Sequence, residues 1–146
     1  MTLAMDGTAL AQFMEREFPQ LAADFVIERL AEQGLLLRLR VEDRHLRPGG
    51  TVSGPSMFAL ADCAFYLTIL ARVGPEALAV TTSCAIDFLR RPEAGRDLLC
   101  ETRLLKLGRA LVVGDALIFS EGDEAAPVAR ASLTYSRPPR REAAAG

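Results

Sequence analysis

The sequence predicts an α+β fold in which an antiparallel β-sheet wraps around one long central α-helix. Three observations lead there. Residues 57–71 form an apolar run broken by one acid, too uniformly oily for a surface helix with a wet stripe. Stretches rich in Val, Leu, Ile, Thr and Phe follow it, separated by segments holding Pro92, Gly95, Gly108, Gly122 and Pro127. The order is helix, one or two strands, long helix, then four strands, without the strand-helix alternation that builds a parallel sheet.

Each element has its own signal. Thr8 is a candidate cap for a first helix over about 8–18, where Leu10, Phe13, Met14 and Phe18 recur at helical spacing until Pro19 stops it. From Gly34 the period changes to two. Leu35, Leu37, Leu39 and Val41 alternate with Leu36, Arg38, Arg40 and Glu42, as in a half-exposed strand. His45 to Gly50 reads as a loop by its Pro and Gly content. The central helix then runs over about 54–73, with Ser53 or Gly54 as N-cap, Pro55 in the first turn and Gly74-Pro75 at its end. Four strands are expected at 77–89, 98–107, 110–120 and 128–135, joined by short connections as antiparallel hairpins. Residues 1–136 read as one domain, and 137–146, without apolar anchors, as a mobile tail.

Composition excludes several classes of function. A net charge of −2 and a pI near 5.5 give no bulk attraction to nucleic acid or to an anionic membrane. Cys63, Cys84 and Cys100 lie far apart, with neither the paired spacing of a zinc site nor the even count of a disulfide framework, and read as buried thiols in a reducing compartment. No basic start followed by an apolar core marks a secretion signal, so the cytoplasm is expected. The run at 57–71 is short for a bilayer and contains Asp62, which favours a buried helix of a soluble protein.

Asp62 is the one acid of the central helix and the strongest internal hint of chemistry. An unpaired buried carboxylate costs several kcal/mol or holds its proton, so Ala or Leu would be more stable there. Two structural placements compete with a catalytic one: a narrow exposed stripe, or an acid bonded by Tyr66 one turn on or by backbone groups. The helix start supplies a second element, because free N–H groups such as that of Gly54 present positive partial charge to a developing oxyanion. Eight residues separate Gly54 from Asp62, about 12 Å along a helix at roughly 1.5 Å per residue, too far to serve one carbonyl. Acting together, they must come from two chains.

Residues 50–62, Gly-Thr-Val-Ser-Gly-Pro-Ser-Met-Phe-Ala-Leu-Ala-Asp, resemble the signature of hotdog-fold acyl-CoA thioesterases of the phenylacetate-degradation (PaaI) type. That signature reads Gly-Thr-Val-His-Gly-Gly, three variable residues, then Ala-Leu-Ala-Asp. Ala79-Val80-Thr81, Phe88-Leu89-Arg90-Arg91-Pro92 and Lys106-Leu107-Gly108-Arg109 look like further landmarks in the same order, so the resemblance extends over roughly 44–136. It implies a hotdog fold, dimers that often pair into tetramers, and hydrolysis of an acyl-CoA thioester. The acid matching Asp62 would be nucleophile or general base, and the N–H matching Gly54 would polarise the thioester carbonyl from the facing subunit.

The chain departs from this pattern at three places. Ser53 replaces the family's His, Pro55 its second Gly, and Arg47 an Asn usually found six residues before that His. Ser53, Ser56 or Thr81 is a candidate to orient water instead, an idea that Ser53→Ala turning over acyl-CoA as fast as wild type would remove for Ser53. Arg47, Arg90, Arg91, Lys106 and Arg109 are candidate contacts for the CoA phosphates, with solvated surface cations as the alternative. His45, the only histidine, lies outside the motif and reads as a loop residue.

Three functions follow from this reading. The first is thioester hydrolysis by Asp62 with Gly54 N–H as oxyanion donor. The second is acyl-CoA or acyl-carrier binding without turnover, motivated by the lost His, Asn and Gly. The third is a hotdog dehydratase or hydratase, disfavoured because the matched segment has no His. No metal cluster, phosphate-binding glycine loop or Ser-His-Asp set is visible, and no dissociable cofactor is implied beyond the coenzyme A of the substrate.

Overall fold

The computed structural model describes residues 3–76 and 78–138. Helix α1 spans Gly7–Glu17 and the short α2 Pro19–Ala22, followed by strands β1 (Phe25–Ala31) and β2 (Gly34–Leu39). A 3-10 turn at Asp43–His45 leads to the central helix α3, Gly54–Val73. Strands β3 (Val80–Phe88), β4 (Leu98–Leu107), β5 (Leu111–Ser120) and β6 (Ala129–Ser136) complete one sheet in the order β1-β2-β4-β5-β6-β3, every neighbouring pair antiparallel. This is the hotdog arrangement, a six-stranded antiparallel sheet folded around one helix.

The sequence patterns explain most of the elements. Leu35, Leu37 and Leu39 turn inward from β2 while Leu36 and Arg38 stay half-exposed, as period two requires. From β6, Ala129, Ala131, Leu133 and Tyr135 point inward in the same way. They meet Leu60, Phe65, Ile69 and Leu70 of α3, all fully buried. Leu10 and Phe13 of α1 close the same core from the helix side. Burial of side chains this large contributes about 1.5–3 kcal/mol each. Gly114 marks where α3 lies closest to the sheet: a Cβ there would sit 2.2 Å from the Phe65 ring and 2.4 Å from the Arg103 carbonyl oxygen.

Three expectations are corrected, and one left open, whether one strand or two precede the central helix, is decided as two. Helix α1 is capped by Asp6, whose carboxylate accepts the Ala9 N–H at 2.9 Å, so Thr8 lies inside it. The strand before β2, left unplaced by the sequence, is β1; its register slips between Ile27 and Arg29, and that bulge hides the period-two signal. Strand β3 does not form a hairpin with β4. It pairs with β6 at the far edge, and residues 89–97 carry the chain back to the centre. Finally, α3 is not buried all round. Its second half is, but the first half leaves Pro55 and Phe58 exposed and Ala59, Asp62 and Cys63 half-buried. With 20 residues and a mean hydropathy of 1.5, α3 is long and apolar enough to cross a membrane, yet its buried faces pack against strands of the chain's own sheet. Of the predicted tail, residues from 139 onward lie outside the described part.

Candidate active site

The start of α3 is built by its cap. Ser53 has extended backbone, and its hydroxyl oxygen accepts the Ser56 N–H at 3.3 Å while its hydrogen points to the Ser56 Oγ at 3.1 Å. The Ser53 N–H donates to the His45 carbonyl at 2.8 Å, fixing the entry of the chain. Pro55 has no N–H, and the Gly54 N–H has no hydrogen-bond partner among the described residues. One donor at the positive end of a 20-residue helix is thus left for a ligand. The Phe88 ring lies beside Gly54, where a Cβ would approach Phe88 Cζ to 3.3 Å.

Two turns further along, Asp62 is held by two hydroxyls. Thr81 Oγ1 donates to Asp62 Oδ1 at 2.6 Å, and the Tyr135 hydroxyl donates to the same oxygen at 2.7 Å. The phenol also lies 3.2 Å from the Asp62 carbonyl oxygen. Oδ2 makes no hydrogen bond, and no buried side-chain polar atom among the described residues lacks a partner, so Oδ2 is open to solvent. The carboxylate is therefore anchored through one oxygen and presented through the other. Burial, with the Asp62 charge second, pushes the Tyr135 phenol well above its ordinary range, which keeps it a protonated donor. Tyr66, the expected partner, instead points to the Glu76 carbonyl at 3.5 Å and packs against Phe18 and Tyr135.

The neighbouring thiols are held in the protonated form. Burial first and Asp62 second push Cys63 up to about 12, and the same two causes raise Cys84. Of the three cysteines expected to be buried, only Cys100 is fully so. No group of three His, Cys, Asp or Glu side chains among the described residues could hold a metal ion.

The structure separates other predicted site residues. Gly54 lies by Phe88, at one end of β3, and Asp62 by Thr81, at the other; eight residues of α3 keep the two about 12 Å apart at roughly 1.5 Å per residue. The five candidate cations are all exposed and form no ion pair among the described residues. Arg90 and Arg91 follow the end of β3. Lys106, near the end of β4, and Arg109, in the β4–β5 turn, are placed by the registers at the opposite end of the sheet. His45 is not a loose loop residue: it is buried, its Nδ1 accepts the Glu42 N–H at 2.9 Å, and its Nε2 faces Asp24 Oδ2 at 3.3 Å. Burial, then the Arg44 cation, lowers its pKa below the ordinary imidazole value.

Residues 49–127 of this chain, more than half its length, match the description Thioesterase superfamily. The chain belongs to the thioesterase superfamily. Within it, a Pseudomonas aeruginosa protein provisionally named as an esterase, PA0474, is 30% identical over 101 residues, covering 68% of this chain and 75% of that one. A provisionally named thioesterase from Silicibacter sp. TM1040 superposes with a TM-score of 0.89 at 59% identity, over 95% of this chain and 96% of the other. A mutant of the phenylacetic acid degradation protein PaaI from Thermus thermophilus follows at TM-score 0.70 and 30% identity, over 82% and 99%. The PaaI-type resemblance read from the motif is thereby upheld. What the sequence missed at this superfamily site is Tyr135. Its signal was there: a phenol at an inward position of an alternating strand must find a polar partner in the core.

Proposed function

We propose that this thioesterase-superfamily protein hydrolyses acyl-CoA thioesters at sites shared between two subunits. The observation that carries the reading is Asp62, anchored through Oδ1 by Thr81 and Tyr135 and open through Oδ2 on an otherwise apolar helix. Its carboxylate either attacks the thioester carbonyl carbon or takes a proton from the water that does. Negative charge then gathers on the carbonyl oxygen, which the free Gly54 N–H of the facing subunit stabilises at the positive end of α3. Collapse of the tetrahedral intermediate breaks the C–S bond; on the general-base route coenzyme A leaves with the proton Asp62 took from water, and on the nucleophilic route it leaves as the thiolate. On the nucleophilic route water then hydrolyses the mixed anhydride with Asp62. No dissociable cofactor enters this chemistry, and the reduced thiols fit the cytoplasm.

The open edge of β3 supports the dimer. Val80–Phe88 contains no Pro, Lys or Arg to blunt it and is exposed at both ends, Val80 by 55% and Phe88 by 52%. Antiparallel pairing of two such edges about a two-fold axis would bring one subunit's Phe88 and Gly54 beside the other's Thr81 and Asp62. The same operation would carry Arg90 and Arg91 of one subunit to the end of the sheet where the other has Lys106 and Arg109, giving cations for the CoA phosphates; Arg47 lies in the loop before α3. A Streptococcus pneumoniae hypothetical thioesterase solved with coenzyme A shares the fold, at TM-score 0.74 and 20% identity.

Release of free thiol from a panel of acyl-CoAs tests the reading. Turnover by wild type that drops at least about 100-fold in Asp62→Asn, with the fold kept by circular dichroism, supports it. The second reading, binding without turnover, is favoured by Pro55, which removes a backbone donor from the oxyanion site. Tight acyl-CoA binding with no thiol released would establish it instead.

A further inference from the structure

Two cavities reach α3, one at its N-terminal half and one at Leu67. The smaller, about 380 Å³, opens against Pro55, Ser56 and Ala59, immediately behind Gly54, and is walled by Leu21, Phe25 and Leu39. The larger, about 650 Å³, lies between α1 and β1 and reaches Leu37 and Leu67 of the core. Phe25, at the start of β1 and half-buried, is the only one of the described residues to line both. From these positions we infer that the smaller cavity holds the acyl chain of the substrate and that Phe25 is the wall setting the longest chain accepted. This deepens the acyl-CoA reading and rests on it.

The argument is one of continuity and chemistry. The smaller cavity is lined by Pro55, Ser56 and Ala59, which follow Gly54 along α3, so a thioester carbonyl at the Gly54 N–H has an opening for its acyl group close by. Ligand sites of this size class, some 300–1,000 Å³, are mostly apolar. The polar groups of the far wall are already committed: Arg44 binds Asp24 and Glu42, and His45 Nε2 faces Asp24. Among the described residues lining the smaller cavity no unpaired cation remains for a carboxylate at the distal end of the chain, which favours a neutral acyl group. At about 30 Å³ for each water-sized group the cavity takes roughly ten carbons before Phe25 stops it. Beyond the ring, the larger cavity offers space that the wild-type chain does not use.

The test is kcat/KM for full-length wild type, Phe25→Ala and Ala59→Phe with butanoyl-, octanoyl-, dodecanoyl- and hexadecanoyl-CoA. Wild type should favour octanoyl over hexadecanoyl. Phe25→Ala, joining the cavities, should raise the hexadecanoyl-to-octanoyl ratio about tenfold. Ala59→Phe, filling the smaller cavity, should shift preference to butanoyl by a similar factor, and Phe25→Leu substitutes for Phe25→Ala if that protein does not fold. Turnover with the same chain-length profile in wild type and every folded variant overturns the inference alone. No turnover of any member by wild type overturns the thioesterase reading and takes this inference with it.

Discussion

Replacing Tyr135 by Phe removes one of the two hydroxyls on Asp62 Oδ1 while leaving the ring stacked on Tyr66. The carboxylate would then be free to rotate about the Thr81 bond alone. If the phenol positions Asp62, kcat in Tyr135→Phe should fall about tenfold with KM little changed, because the loss is felt at the reacting group and not in substrate binding. The fold should lose only about 1 kcal/mol, the usual worth of one hydrogen bond. A KM rise at constant kcat in steady-state assays would remove Tyr135 from that role. His45 gives a second outcome at this scale. In the fold, burial and Arg44 lower its pKa against the opposing charge of Glu42, and Asp24 beside it is also bound by Arg44. The unfolded chain takes up the proton near the ordinary value of about 6.5, so the unfolded state binds more protons as the pH falls below it. Stability from this group is therefore full above about pH 6.5 and is lost toward the lowered folded value. Thermal melts should show a drop in Tm from pH 7 to 5.5 that is smaller in His45→Gln.

The elements are placed by a few residues whose replacement has a defined cost. Ser53 caps α3 through Ser56, and Ser53→Ala should destabilise the protein by about 1 kcal/mol in urea unfolding. The same substitution probes whether the hydroxyl also orients water: a loss of kcat beyond what destabilisation explains would assign it that second role. Gly114 is less tolerant. A Cβ there meets both Phe65 and the Arg103 backbone, so Gly114→Ala must push α3 off β5, at about 3 kcal/mol read from the unfolding midpoint. Gly34 is equally constrained, since its Cβ would lie 1.9 Å from the Thr102 carbonyl oxygen. These contacts explain why the strands tolerate glycine at inward positions where a larger residue would pack in an ordinary sheet.

For the whole molecule, the separation of Gly54 from Asp62 makes a sharp test of a shared site. Asp62→Asn and Gly54→Pro should each be inactive, the second because proline fits the first helical turn but carries no N–H. Mixed in equal amounts after subunit exchange, half the dimers pair one of each, and each of those has one intact site. Activity should return to about a quarter of wild type, where a site contained within one chain gives none. Charging the β3 edge tests the pairing itself. Ser83→Lys with Ala85→Lys puts like charges near one another across the two-fold axis, and should give a folded monomer by sedimentation, inactive toward acyl-CoA.

Much of this fold could be read along the chain because its signals are local. The period-two leucines of β2, the mostly apolar second half of α3 and its Ser53 and Gly74 boundaries depend on neighbours in sequence, and the motif ending at Asp62 carried the superfamily. Local signals say nothing about which strands pair. That β3 leaves β4 and joins β6 follows from how the sheet closes around α3, and only this pairing puts the strand bearing Thr81 beside the strand bearing Tyr135. The sequence alone thus determined that an acid sits in an oily helix. The tertiary structure decided what holds that acid, because its two hydroxyl partners come from strands 19 and 73 residues away, a distance no sequence period spans.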